Sequence, residues 1–320
     1  MAITAQLTKT SSRKTLVGLS LALVIGAAAV LLLRNITQVD FSAALATASR
    51  ISATQMLLIL TMAAGSYACL TGFDWLALRY VGHPLPYRQA ALASFTALSL
   101  GHNIGLAALS SGAVRYRFYS QWGLGGVAIA KLIIFCGITV GLGLITLGGI
   151  ALLCVPEVSG RITGTSPAVT QMLGGACLAV PIAYLGAAAA GAKPLRFRRW
   201  TLELPSLPLA SGQVLIGTLN FALVAACLHQ ALNAVSEASY PAVVSVYVLA
   251  NATAIASHVP GGLGIIEAAV VLLLPGANSL AAAILFRLAY YLVPLPLGLV
   301  TLATSELVYS RSAATRRSRS

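Results

Sequence analysis

Long apolar runs recur along this chain, each near or above the roughly 20 residues that an α-helix needs to cross a bilayer. They are Thr15–Leu33, Ile51–Leu78, Ala90–Leu109, Val127–Val155, Val169–Ala190, Leu209–Leu232 and Leu280–Leu307, with polar and basic residues gathered between them. An eighth apolar region follows Tyr240 but is broken in its middle, where Asn251–Glu267 reads N-A-T-A-I-A-S-H-V-P-G-G-L-G-I-I-E before the run Ile265–Leu274 resumes. His258, Pro260, Gly261, Gly262 and Gly264 all fall in this break. Proline removes a backbone donor and glycine permits left-handed geometry, so a simple spanning helix is excluded here. Irregular backbone survives at membrane depth only where protein or a water-filled cavity satisfies its polar groups. The competing reading is a solvent loop in which Glu267 caps the second helix. Ala90–Leu109 is interrupted in a similar way by Ser99, Gly101, His102, Asn103 and Gly105. The run Leu280–Leu307 contains Arg287, Pro294 and Pro296.

Composition agrees with the pattern. Hydrophobic residues make up 58% of the chain and charged residues only 8%, against roughly 25% charged in ordinary soluble domains. The expected class is an all-α polytopic integral membrane protein: one transmembrane domain over 15–308, a polar cytoplasmic tail at 1–14 and a basic, disordered cytoplasmic tail at 309–320. The net charge of +13 sits in loops and tails, which fits anionic lipid at a cytoplasmic face and not nucleic acid. Thr15–Leu33 is followed by Arg34 and Asn35, so it reads as a retained first helix and not a cleaved leader. Asp74 lies near the end of its run; a buried counter-charge is one reading, and hydration at the interface is the one expected. The five cysteines show no paired spacing, so neither a disulfide framework nor a metal site is expected.

Charge also constrains the topology. If every run crossed once from a cytoplasmic N-terminus, the loop carrying Lys193, Arg196, Arg198 and Arg199 would land outside, against the positive-inside rule. Folding Ala90–Leu124 into a re-entrant hairpin returns that loop to the cytoplasm. The loops at 156–168 and 233–239 then lie outside. A second hairpin over Tyr240–Leu274, entering from the opposite face, brings the C-terminus inside as well. Arg34 and Arg50 remain outside in this scheme. The two hairpins share an H-x-x-G spacing, His102–Gly105 and His258–Gly261. Paired interrupted segments of this kind mark inverted-repeat transporters.

Two stretches carry a resemblance. S-G-A-V-R-Y-R-F-Y-S-Q-W-G-L (Ser111–Leu124) and S-H-V-P-G-G-L-G-I-I-E (Ser257–Glu267) resemble the signature stretches of the lysylphosphatidylglycerol synthase transmembrane family. That family takes in the flippase half of the multiple peptide resistance factor and shorter stand-alone proteins. The resemblance spans most of Thr15–Leu307 and implies translocation of a phospholipid, such as aminoacylated phosphatidylglycerol, between leaflets of a bacterial inner membrane. In the full-length factor a soluble aminoacyl-transferase domain follows; here the sequence stops at Ser320, and no lipid synthesis is expected.

The candidate site residues are Arg115, Tyr116, Arg117, His102, His258, Pro260, Gly261, Gly262, Gly264, Glu267 and Arg287. Guanidinium forks suit phosphate oxygens, which makes Arg115 and Arg117 candidates for a lipid phosphate; their i, i+2 spacing makes them diverge on a helix and share a face in extended backbone. Tyr116 suits an interfacial belt. Glu267 needs a counter-charge or a hydrated cavity, because the helix dipole contributes only about 0.3–1 kcal/mol against about 2.5–3.5 kcal/mol for an acidic group at the bilayer centre. Arg287 and a cationic headgroup are the alternatives, and the expectation leans to the headgroup, with Glu267→Gln sparing stability. His102 and His258 read as packed, hydrogen-bonded histidines. With seven acidic residues, no two within one helical turn, and no phosphate-binding G-x-x-x-x-G-K-[ST] loop, neither an enzyme nor a cofactor is expected. Membrane phospholipids are the expected partners. Self-association, a partner transferase, and the alternative role of accessory subunit or integral-membrane enzyme acting on envelope precursors stay open.

Overall fold

The computed structural model describes residues 51–320 apart from 105–106, 192–194, 198–199, 234–237, 258, 275, 277 and 318–320. The expected first crossing and the 1–14 tail therefore lie outside the described residues, as do Arg34 and Arg50. Every later apolar run is helical: α1 (Ala53–Tyr80), α2 (Tyr87–Ile104), α3 (Ala107–Gln121), α4 (Gly126–Cys154), α5 (Pro156–Thr163), α6 (Pro167–Ala189), α7 (Leu207–Asn233), α8 (Tyr240–Ser257), α9 (Ile265–Leu273), α10 (Ser279–Arg287) and α11 (Pro294–Arg317). Local chemistry sets several boundaries. The Ser52 hydroxyl accepts the Gln55 N–H at 3.2 Å at the start of α1, and Ser166 does the same for Val169 ahead of Pro167 in α6. Such caps satisfy helix N–H groups that have no partner within the helix.

Two segments differ from the sequence reading. The expected outer loop at 156–168 contains the short helix α5, with Pro156 in its first turn and Gly164 ending it at φ +69°. The expected disordered tail is helical as far as Arg317. Extending an existing helix fixes only one residue per added bond, so α11 propagates without the cost of a new nucleus. A two-stranded antiparallel ribbon, β1 (Leu195–Phe197) and β2 (Trp200–Leu202), occupies the basic loop. It is tethered to α1 by the Tyr80 hydroxyl, which donates to the Glu203 carbonyl at 2.7 Å.

Among the described residues, α1, α4, α6, α7, α8 and the stretch Ser279–Tyr309 are long and apolar enough to cross a membrane. Helices α1 and α7 pack together, α7 also lies against α4, and α4 lies against α6. Lipid tails are as apolar as leucine, so such contacts depend on close packing and buried polar bonds rather than on water exclusion. The α4–α7 crossing shows both. A Cβ on Gly143 would sit 2.3 Å from the Gly217 carbonyl carbon, and one on Gly217 would sit 2.5 Å from the Thr139 carbonyl oxygen. Beside this contact, Gln213 Nε2 donates to the Phe135 carbonyl at 3.1 Å and to Thr139 Oγ1 at 3.0 Å. The Tyr184 hydroxyl from α6 donates to the other end of the same amide. Met172 and Leu215, 75% and 72% exposed, illustrate the apolar outer surface that a lipid environment requires.

Candidate functional site

Both interrupted regions fold as helical hairpins. Helix α2 packs back against α3, and α8 packs back against α9 across a short 3₁₀ turn at Pro260–Gly262. The turn needs its glycines: Gly261, Gly262 and Gly264 have φ of +55°, +60° and +77°, values costly for residues with a Cβ. The two tips touch. A Cβ on Gly261 would lie 3.0 Å from the His102 carbonyl oxygen, so the end of α2 and the Pro-Gly-Gly turn meet backbone to backbone.

Arg287, at the end of α10, holds the second tip together. Its Nε donates to Glu267 Oε1 in an ion pair, Nη1 donates to the Gly261 carbonyl at 3.1 Å, and Nη2 donates to the Gly262 carbonyl at 3.4 Å. Glu267 also accepts the Gly264 N–H through Oε2 at 2.9 Å, capping α9. The guanidinium carbon lies 5.2 Å from the centroid of the Tyr291 ring. Side-chain exposures of 5% for Arg287 and 16% for Glu267 leave the carboxylate the more accessible partner. Of the two counter-charges weighed for Glu267, the structure supplies Arg287.

Next to the tips, the chain between α10 and α11 widens into a π turn at Leu288–Leu292, with Val293 N–H donating to the Leu288 carbonyl. Pro294 and Pro296 withhold two N–H groups from the preceding turn. Side chains meet the carbonyls instead: the Tyr67 hydroxyl donates to Tyr290 at 3.4 Å, and Asn103 Nδ2 donates to Tyr291 at 3.1 Å. The Tyr290 hydroxyl shares a bond of 2.9 Å with Ser66, which donates to Asn220 at 2.7 Å. The ring of His102 lies among these aromatics, 6.2 Å from Tyr67, 6.2 Å from Tyr290 and 6.1 Å from Tyr291. It is packed, as expected. The expected hydrogen bond is not found among the described residues: Nδ1 is sealed from solvent without a partner.

The α3 residues do not join this cluster. On a helix Arg115 and Arg117 diverge, and each meets a carboxylate. Arg115 is turned inward to Asp74 on α1, with Nε at 2.9 Å from Oδ2 and Nη2 at 2.7 Å from Oδ1. Its side chain is 4% exposed and that of Asp74 is 0% exposed. The Tyr119 hydroxyl donates to Asp74 at 2.7 Å, and Arg115 Nη1 donates to Ser111 at 3.0 Å. Asp74 is thus a buried counter-ion and not a hydrated interface residue. Arg115, a candidate for a lipid phosphate, faces that carboxylate. Its signal in the sequence was a lone acidic residue inside an apolar run, which calls for a named partner by default. Arg117 pairs with Glu306 of α11 at 2.8 and 2.5 Å, half-buried. Tyr116 is 37% exposed, and His258 lies outside the described residues. Helix α2, linked to α11 through Thr96 and Thr301, completes the frame around the first hairpin.

The architecture defines a class: a polytopic all-α membrane protein, in which the end of α2 meets the Pro-Gly-Gly turn. The model of the lysylphosphatidylglycerol synthase TM region matches residues 19–298, and the chain belongs to that family. It is 31% identical over 259 residues to the uncharacterized protein slr0712 of Synechocystis sp., covering 79% of this chain and 80% of that one. It is 30% identical over 243 residues to the inner membrane protein YbhN of Escherichia coli, covering 73% of this chain and 75% of that one.

Proposed function

We propose that this protein is a lipid transporter of the inner membrane, passing a phospholipid headgroup between leaflets without covalent chemistry. The observation that carries the reading is the meeting of His102 and Gly261 at the tips of two interrupted helices, with Arg287 and Glu267 beside them. Broken backbone and ionisable groups are expensive within a bilayer and occur where a polar species must pass. Three carboxylates of the helical bundle, Asp74, Glu267 and Glu306, are each engaged by an arginine, an arrangement suited to holding helices and not to general acid–base work. The family match and the inner-membrane relative support the same reading. In it, both termini and the basic ribbon face the cytoplasm, and the hairpins enter from opposite faces as an inverted repeat. Phospholipids are the partners, and no cofactor is called for.

The test is reconstitution into phosphatidylethanolamine–phosphatidylglycerol vesicles that carry a headgroup-accessible fluorescent phosphatidylglycerol. Membrane-impermeant dithionite bleaches about half of the label in empty vesicles; with the protein present, bleaching is expected to pass well beyond half within minutes. Bleaching that stays at the level of empty vesicles, with ion gradients of either polarity imposed, would overturn the proposal.

A further inference from the structure

The imidazole of His102 is half-buried, with one nitrogen sealed and the other not. Tyr290 stacks on it at an interplanar angle of 21°, and Tyr67 and Tyr291 meet it edge-on. Nδ1 is sealed without a partner, whereas Nε2 is not sealed, and among the described residues no group bonds to it. A neutral imidazole has one N–H and one lone pair to place. A buried N–H without an acceptor is rarer than an acceptor without a donor. The proton therefore belongs on Nε2, and His102 presents a hydrogen-bond donor on its accessible side.

The neighbouring donors point to the same chemistry. Arg287 has five N–H groups and uses three of them on Glu267, Gly261 and Gly262, which leaves one on each terminal nitrogen. The guanidinium and the imidazole lie against the same ring, 5.2 and 6.1 Å from the centroid of Tyr291. Both oxygens of Glu267 are already occupied, by Arg287 and by the Gly264 N–H.

We infer that His102 is a substrate-binding residue, donating through Nε2 to a phosphate oxygen of the headgroup where the two hairpin tips meet. The site selects the phosphate end of a lipid and does not need a cationic headgroup. This rests on the transport reading above.

The informative variant is His102→Phe, which preserves the stacking while removing both nitrogens. The probes are dioctanoyl-phosphatidylglycerol, dioctanoylglycerol and glycerol phosphate, added to the detergent-purified full chain while thermal unfolding is followed. The expected wild-type result is stabilisation by the phospholipid and not by the diacylglycerol; stabilisation by glycerol phosphate as well would identify free phosphate esters as sufficient ligands. His102→Phe should unfold at or above the wild-type temperature without lipid, since a sealed polar atom is gone, and should bind the phospholipid at least tenfold more weakly. His102→Gln, which retains an N–H donor, should recover part of the binding. Phospholipid affinity of His102→Phe within twofold of wild type overturns the inference while leaving transport standing. A His102→Phe that unfolds well below wild type, with no recovery of binding in His102→Gln, assigns the ring to structure and also overturns it. A wild-type protein that scrambles lipid yet responds to none of the probes overturns it too, whereas failure of scrambling removes the transport reading itself.

Discussion

Neutralising Asp74 isolates the energetics of the buried pair. Asp74→Asn preserves shape but leaves the Arg115 guanidinium, 4% exposed, without its counter-charge. Removing one partner of a buried ion pair costs about 3–5 kcal/mol, because the remaining charge stays desolvated. The Tyr119 hydroxyl, 2.7 Å from Asp74, loses a charged acceptor as well, but neighbours in one network do not add independently, so the total stays near that range. At roughly 2 °C per kcal/mol for a chain of this size, the apparent Tm should fall by about 6–10 °C. The check is thermal unfolding in mild detergent, followed by the loss of monodisperse protein on size exclusion. Apolar replacement of the whole cluster should reverse the loss: Asp74→Leu with Arg115→Met and Tyr119→Phe removes both charges and the orphaned hydroxyl, and such swaps are often neutral or stabilising. An Asp74→Asn protein within about 2 °C of wild type, or a triple variant no better than the single, would refute the claim that the pair is a desolvated unit.

Glu267→Gln is expected to lower stability by a comparable amount, about 3–5 kcal/mol, because Arg287 keeps its two backbone carbonyls but loses its carboxylate. Combining it with Arg287→Gln should restore at least half of the loss, and a stable Glu267→Gln protein that no longer scrambles lipid would instead assign the carboxylate to substrate. Topology is checked with single cysteines in a background lacking the five native ones. From outside whole cells, an impermeant maleimide should label Arg161→Cys and not Phe197→Cys, and the opposite pattern ends the two-hairpin orientation.

The helices were legible because their signal is local. Run lengths placed α4 at Val127–Val155 against an observed Gly126–Cys154, and α7 at Leu209–Leu232 against Leu207–Asn233. Both breaks were legible too, since Pro260 and its glycines cannot continue a helix. Pairing across the fold was not. Asp74 and Arg115 lie 41 residues apart, and nothing in either apolar pattern encodes which side chain an inward-facing carboxylate will meet. The divergence of Arg115 and Arg117 followed from i, i+2 spacing once the segment was known to be helical; before that, an extended strand with both on one face was equally open. For Glu267 the right partner was named, but the choice between Arg287 and a headgroup depended on whether α10 brings that guanidinium to the turn. His102 was expected to be hydrogen-bonded because buried polar groups almost always are; instead its half-buried ring keeps Nδ1 sealed without a partner.

One physical problem recurs at the centre of the molecule, and it is solved the same way each time. A break in a helix frees carbonyl groups that lipid cannot satisfy. At the Pro-Gly-Gly turn the freed carbonyls of Gly261 and Gly262 are met by Arg287. At the π turn ahead of Pro294 and Pro296, those of Tyr290 and Tyr291 are met by Tyr67 and Asn103. All four carbonyls are held by residues from other elements: Arg287 comes from α10, Tyr67 from α1 and Asn103 from the last turn of α2. The breaks are therefore mutually supporting: displacing the first hairpin withdraws the donor of Tyr291, and displacing α10 withdraws the donors of the second tip. Displacement of either hairpin would exchange these bonds for others, and in the proposed transport a headgroup rich in phosphate oxygens would engage the donors while the carbonyls turn to water. On the transport reading proposed above, passage of the cargo is coupled to the opening of the protein's own backbone breaks.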